Sequence, residues 1–199
     1  MADDKRGRDK QAQDADRRQR ERALQAELER YDEAEPPIED AELDELEAEL
    51  ETVSFPATGA EIVDAVGERR VTAGQKTYAV EELLPEAEVE TFEAPEVVRS
   101  RIQRPTVASA MKRIVEASET IPNVEFSSGQ RDAYEKTIRA LQAVDTLDED
   151  EGVRAITDWI IEQIEEKGKL PESRDVRRQG AKITRNTGYE VRSDEWLGI

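Results

Sequence analysis

Between Val107 and Ile164 the large apolar residues recur every three or four positions, in three separate runs. Val107, Met111, Ile114 and Val115 form the first. Tyr134, Ile138, Leu141 and Val144 form the second, and Val153, Ile156, Ile160 and Ile164, with Trp159 beside them, the third. Residues three and four apart share one face of an α-helix. Three such stripes in succession cannot all face water, so they predict helices packed on one another. The punctuation agrees: Ser127-x-x-Gln130 is a capping-box pattern at the start of the second run, and Gly168 closes the third. Residues 105–199 are therefore expected to form a helical bundle.

GKLPESRDVRRQGAKITRNTGYE follows, a basic stretch in an acidic chain. At about 100° per residue, Arg174, Arg178, Lys182 and Arg185 fall within about 80° of one another, opposite Val176, Gly180 and Ile183. The spacing predicts one amphipathic helix over 172–186, with its apolar side on the bundle and a basic stripe outward. Two readings of the stripe stand side by side: a solvated face, or the contact for a partner. After it, Tyr189, Val191, Trp196 and Leu197 are expected to dock on the bundle.

The first half reads differently. Residues 1–35 are almost all charged, Gln or Ala, with one narrow stripe of Leu24, Leu28 and Tyr31. Isolated helices are marginal without packing, and so few apolar side chains do not offset ordering entropy. A charged arm, disordered or partly helical, is expected. Residues 36–104 are expected to hold an acidic helix and a small α-rich unit with a β-hairpin. Leu43, Leu46, Leu50 and Val53 mark the helix. Thr58 caps a short helix that puts Ile62, Val63 and Val66 inward and stops at Gly67. Val71 and Tyr78 flank a hairpin turn at Ala73-Gly74-Gln75, and a helix starts at Pro95 and stops before Pro105. The fold class is thus mainly α.

Charge limits what such a chain can do. Charged residues make up 39%, against about 25% in an average soluble domain. Acids outnumber bases 48 to 29, for a formal net charge of -19, and residues 36–96 alone hold eighteen acids and three bases. One reading is an acidic disordered protein. The other is a fold adapted to molar salt, where the Debye length falls to roughly 3 Å and like surface charges barely repel. The helical stripes, the small Ala and Val in core positions, and arginine outnumbering lysine by more than two to one favour salt adaptation. The composition resembles that of haloarchaeal cytoplasmic proteins.

The segment from Phe55 to Arg104 also resembles a family of small haloarchaeal proteins defined as a domain of unknown function. Phe55-Pro56, Ala65-Val66-Gly67, Val71 to Tyr78, Leu83-Leu84-Pro85 and Glu96-Val97-Val98-Arg99 carry the resemblance, and the charged N-terminal arm is similar as well. Counting the arm, it covers roughly half the chain, and it brings no catalytic residues. A second likeness lies in LPESRDVRRQGAKITRNT, which resembles part of the helix-turn-helix of gluconate-repressor-type regulators. Leu170-Pro171, Val176, Gly180 and Thr184-Arg185-Asn186-Thr187 match, but Gly188 interrupts where the recognition helix should continue. That likeness implies a nucleic-acid-binding regulator.

Catalysis has little support. The chain has no cysteine and no histidine, which removes thiolate, imidazole and Cys/His zinc chemistry. A calcium loop begun at Asp148 would need acids or a glycine where Gly152, Val153 and Trp159 stand. No phosphate-binding glycine motif or nucleophile elbow is present. The expectation is a non-catalytic binding protein of the cytoplasm, with no metal, cofactor or membrane span. Its partner is an unknown protein, nucleic acid being the alternative, and Arg174, Arg178, Lys182 and Arg185 are the candidate contact.

Overall fold

The computed structural model describes residues 37–122, 124, 126–144 and 150–186. The charged arm, the start of the acidic run at 148, and the expected docking of Tyr189, Val191, Trp196 and Leu197 lie outside the described residues. Helices dominate: α1 (Asp40–Leu50), α2 (Gly59–Val66), α3 (Pro95–Ile102), α4 (Pro105–Ser118), α5 (Ser128–Gln142), α6 (Glu151–Lys167) and α7 (Ser173–Asn186). Two small antiparallel ladders accompany them. β2 (Arg70–Ala73) and β3 (Lys76–Ala79) form the expected hairpin, with Val71 opposite Tyr78. β1 (Ala57–Thr58) pairs with β4 (Thr91–Phe92); two-residue strands give no alternation for a sequence to show.

The first unit gathers around one core. Leu43, Leu46 and Leu50 of α1 meet Ile62 of α2, Val71 of the hairpin, Leu83, Leu84 and Phe92, and Val98 and Ile102 of α3. Thr58 caps α2 as expected: its hydroxyl accepts from the Glu61 N–H at 3.2 Å, while Glu61 Oε2 accepts from the Thr58 N–H at 2.8 Å. Such a reciprocal pair satisfies two N–H groups that the helix itself cannot.

α1 carries six acids and no base, yet this is not simply a solvated acidic face. Arg99 of α3 pairs with Asp40, Asp44 and Glu47. Arg69 pairs with Glu45 and Glu49. Glu42 accepts the backbone N–H of Thr72 in the hairpin. The pKa of Arg99 is raised, chiefly by its hydrogen bonds to Asp44 and then Glu47. Exposed pairs contribute little one by one; packing of Leu43, Leu46 and Leu50 seats the helix, and the two arginines and the Thr72 N–H give each of its six acids a partner.

The second core is the bundle. Met111, Ile114 and Val115 of α4, Tyr134, Ile138 and Leu141 of α5, Ile156, Ile160 and Ile164 of α6, and Val176 of α7 are all buried together. α4 serves both cores, giving Val107 to the bundle and Ala108 to the first unit.

A buried ionic group lies between the two units. Glu90, just before β4, is 2% exposed. Arg131 Nη2 of α5 stands 3.0 Å from Glu90 Oε1, and Arg101 Nε of α3 stands 3.7 Å away; Arg101 also pairs with Glu135 of α5. The contacts are close but poorly aligned, so Glu90 Oε1 receives no hydrogen bond, and the Nε atoms of Arg101 and Arg131 also lack partners. Burial raises the Glu90 pKa, with Arg131 and Arg101 pulling it back. Burial likewise lowers that of Arg101 to about 10, against the opposing charge of Glu90. Arg131 also lies over the Phe126 ring, 5.3 Å from its centre.

Candidate partner-binding face

Residues 173–186 form a single helix, so no turn occurs at Gly180 and the helix-turn-helix likeness does not extend to structure. The reason is local. Gly180 is buried against α5, where a Cβ would come within 2.8 Å of Thr137 Cγ2. The glycine is required by the close approach of two helices, not by a bend.

Two supports hold α7 in place. At its start, the Pro171 carbonyl accepts from Tyr134 Oη and from Gln130 Nε2, the latter at 3.0 Å. Tyr134 is fully buried, and burial raises its pKa, so the hydroxyl remains a donor. Further along, Val176, Gly180, Ala181 and Thr184 are buried while Ile183 is only half-buried. The inward side is thus turned toward Gly180 and Thr184, relative to the side expected from Ile183. Thr184 satisfies its hydroxyl by donating to the Gly180 carbonyl at 3.0 Å.

Arg174, Arg178, Lys182 and Arg185 are all exposed on α7. The helix divides them. Arg178 and Lys182 line a groove of about 620 Å³ between α6, the connection 168–172 and α7. Lys167 and Lys169 line it too, with Trp159 and Leu170 as its apolar part and Glu172 and Asp175 as its acids. Arg174 and Arg185 are not among the residues lining the groove. The Lys167 ammonium donates to the side-chain carbonyl of Gln163, which is buried in the groove wall. Arg178 has one intrahelical carboxylate nearby, Asp175 at 4.0 Å, too long for a hydrogen bond.

Trp159 and Lys167 were missed as parts of this face because they lie on α6. Their spacing of eight residues, about two turns, puts both on one side of that helix, which was the available signal. Among the described residues no group of three or more Asp or Glu is arranged to hold a metal ion, and no helix is long and apolar enough to cross a membrane.

The structure is thus a mainly α protein with an acidic first unit and a helical bundle bearing a cation-rimmed groove. Residues 40–114 match a family of unknown function (DUF5789). The match runs from α1 into α4, so α5, α6, α7 and the groove lie beyond it. No curated protein and no solved structure matches the chain.

Proposed function

We propose that the protein is a non-catalytic accessory protein of a halophile's cytoplasm that binds an acidic protein partner through the basic face of α7. One observation carries this reading. In a chain of net charge -19, four cations stand exposed on one helix, and that helix is fixed from behind by buried packing at Val176, Gly180 and Thr184. Three of the four are arginines, whose planar fork pairs bidentately with carboxylates. In molar salt, phosphate contacts lose affinity steeply with each charge neutralised, which favours a protein partner over nucleic acid.

The test is recovery of bound material on the immobilised chain from lysate in molar KCl. The expected result is an acidic protein retained after nuclease treatment. Recovery of nucleic acid alone, lost on nuclease treatment, would overturn the reading.

A further inference from the structure

We propose that the groove between α6 and α7 takes an extended acidic segment of the partner, with one apolar side chain of that segment seated on Trp159. This rests on the reading that the partner is an acidic protein, and it adds α6 and the connection 168–172 to the contact made by α7.

The groove is opposite in charge to the chain around it. Lys167, Lys169, Arg178 and Lys182 line it against Glu172 and Asp175, four cations to two acids, in a chain of net charge -19. At a Debye length of roughly 3 Å in molar salt, that excess of two acts only on carboxylates in direct contact. Charge alone then holds a ligand weakly, and the rest of the affinity has to come from apolar burial, which salt does not screen. Trp159 and Leu170 supply it. Both line the groove, and both are only partly buried against the bundle.

The placement of these groups sets the order of the ligand's side chains. α6 and α7 pack on each other, and Lys169, Leu170 and Pro171 of their connection line one end of the groove. Trp159 stands eight residues before Lys167, and Lys182 ten residues after Glu172. At about 1.5 Å per residue these are about 12 and 15 Å of helix. Trp159 and Lys182 therefore share the far end, with Arg178 one turn before Lys182. Glu172 and Asp175 lie beside the connection, at the start of α7. An extended peptide crosses this distance in about four or five residues, at about 3.3 Å each. Carboxylates flanking the apolar side chain meet Arg178 and Lys182, and those further along meet Lys167 and Lys169. Gln179, half-buried in the groove wall, carries an amide that both donates and accepts, which suits a peptide backbone. A nucleic acid is the poorer fit. Trp159 offers a base a stacking face, but phosphate contacts lose affinity steeply in molar salt, and Glu172 and Asp175 repel the strand.

The test uses the full chain carrying Trp196→Phe, in which Trp159 is the one remaining tryptophan. The probe is an end-blocked peptide with one phenylalanine between two pairs of glutamates, titrated in molar KCl. Trp159 emission is expected to shift to shorter wavelength and to saturate with a Kd on the order of 1 mM or tighter. Alanine in place of the phenylalanine should weaken binding by about tenfold. Lys167→Glu with Lys169→Glu leaves the four cations of α7 in place but turns the groove's excess of two cations into an excess of two acids. It should also weaken binding by about tenfold. Lys167→Gln with Lys169→Gln brings the groove to neutrality, should weaken binding by about threefold, and carries the test if the reversal unfolds the chain. An unchanged Trp159 spectrum up to about 10 mM peptide, or equal affinity in the parent and the lysine variants, would overturn the proposal. So would a single-stranded oligonucleotide that binds more tightly than the peptide in the same salt. The lysate experiment separates the groove from the partner. Peptide binding with no acidic protein recovered leaves the groove assignment standing and overturns the partner reading. An acidic protein recovered equally by the parent and by the Lys167→Glu, Lys169→Glu chain, without peptide binding, does the reverse.

Discussion

Arg131→Met is expected to lower the unfolding free energy by about 3–5 kcal/mol, the usual cost of stripping one partner from a buried ion pair. Arg131 Nη2 is the closest cation to Glu90, at 3.0 Å, and Glu90 is 2% exposed. Methionine fills much of the same space but leaves Glu90 facing only Arg101, whose nearest nitrogen is 3.7 Å away. The contact of Arg131 with the Phe126 ring goes as well. Urea unfolding at fixed molar KCl measures the loss. Its pH dependence identifies the cause. Burial already holds the Glu90 pKa above that of an ordinary glutamate, and Arg131 is the larger of the two charges pulling it down. Without Arg131 the folded pKa rises further above the unfolded one. The penalty is then full while Glu90 is ionised and fades as pH falls through the folded value. The deficit relative to the parent should shrink on acidification. Replacing Glu90 by leucine in the same chain should recover part of the loss, since the stranded charge is gone. A deficit under about 1 kcal/mol, within the range of an exposed pair, would show that the group between the two units carries little.

The melting temperature is expected to rise by about 5 °C or more between about 0.1 M and 2 M KCl, which at about 2–4 °C per kcal/mol for a chain of this size means at least about 1.3–2.5 kcal/mol. Two effects oppose each other. Salt weakens the pairs that Arg69 and Arg99 make with α1, and it relieves repulsion across a block with eighteen acids and three bases. The pairs are close, at 2.6 to 3.5 Å where Arg69 meets Glu45 and Glu49, while the repulsions act over longer distances. Screening removes long-range terms first, so relief of repulsion wins. A melting temperature that is flat or falling over this range would contradict salt adaptation.

Much of the fold was legible because helical stripes are long and redundant. Val107 to Val115 and Val153 to Ile164 each repeat one face over several turns, and both faces are buried as expected. The hairpin itself followed from Val71, Tyr78 and the glycine between them, but its register did not: Ala73, read as part of the turn, pairs with Lys76 as the last rung of the ladder, leaving Gly74-Gln75 as a two-residue turn. The β1–β4 ladder was illegible, since its two-residue strands are fixed by what packs around Phe92 rather than by their own pattern. The ion pairs of α1 were hidden because, in a chain so rich in acids, composition cannot tell a paired carboxylate from a solvated one. The buried group left a faint trace. Arg131 stands three and seven residues before Tyr134 and Ile138, on the apolar face of α5, where a charge needs a partner. The basic stripe was legible as a stripe. Its division was not, because the groove depends on α6 and on the rotation of α7 that Gly180 permits.

Charge reversal on α7 bears directly on its role as the partner contact. Arg174 and Arg178 are exposed, and Arg174 is not a groove residue, so Arg174→Glu with Arg178→Glu alters the outward face while leaving Lys167 and Lys169 in place. The measurement is partner recovery from lysate in molar KCl, alongside helix content and melting temperature. Recovery is expected to be abolished while helix content and melting temperature stay at their parent values. Undiminished recovery by a folded double variant would contradict it and leave the stripe as solvated surface.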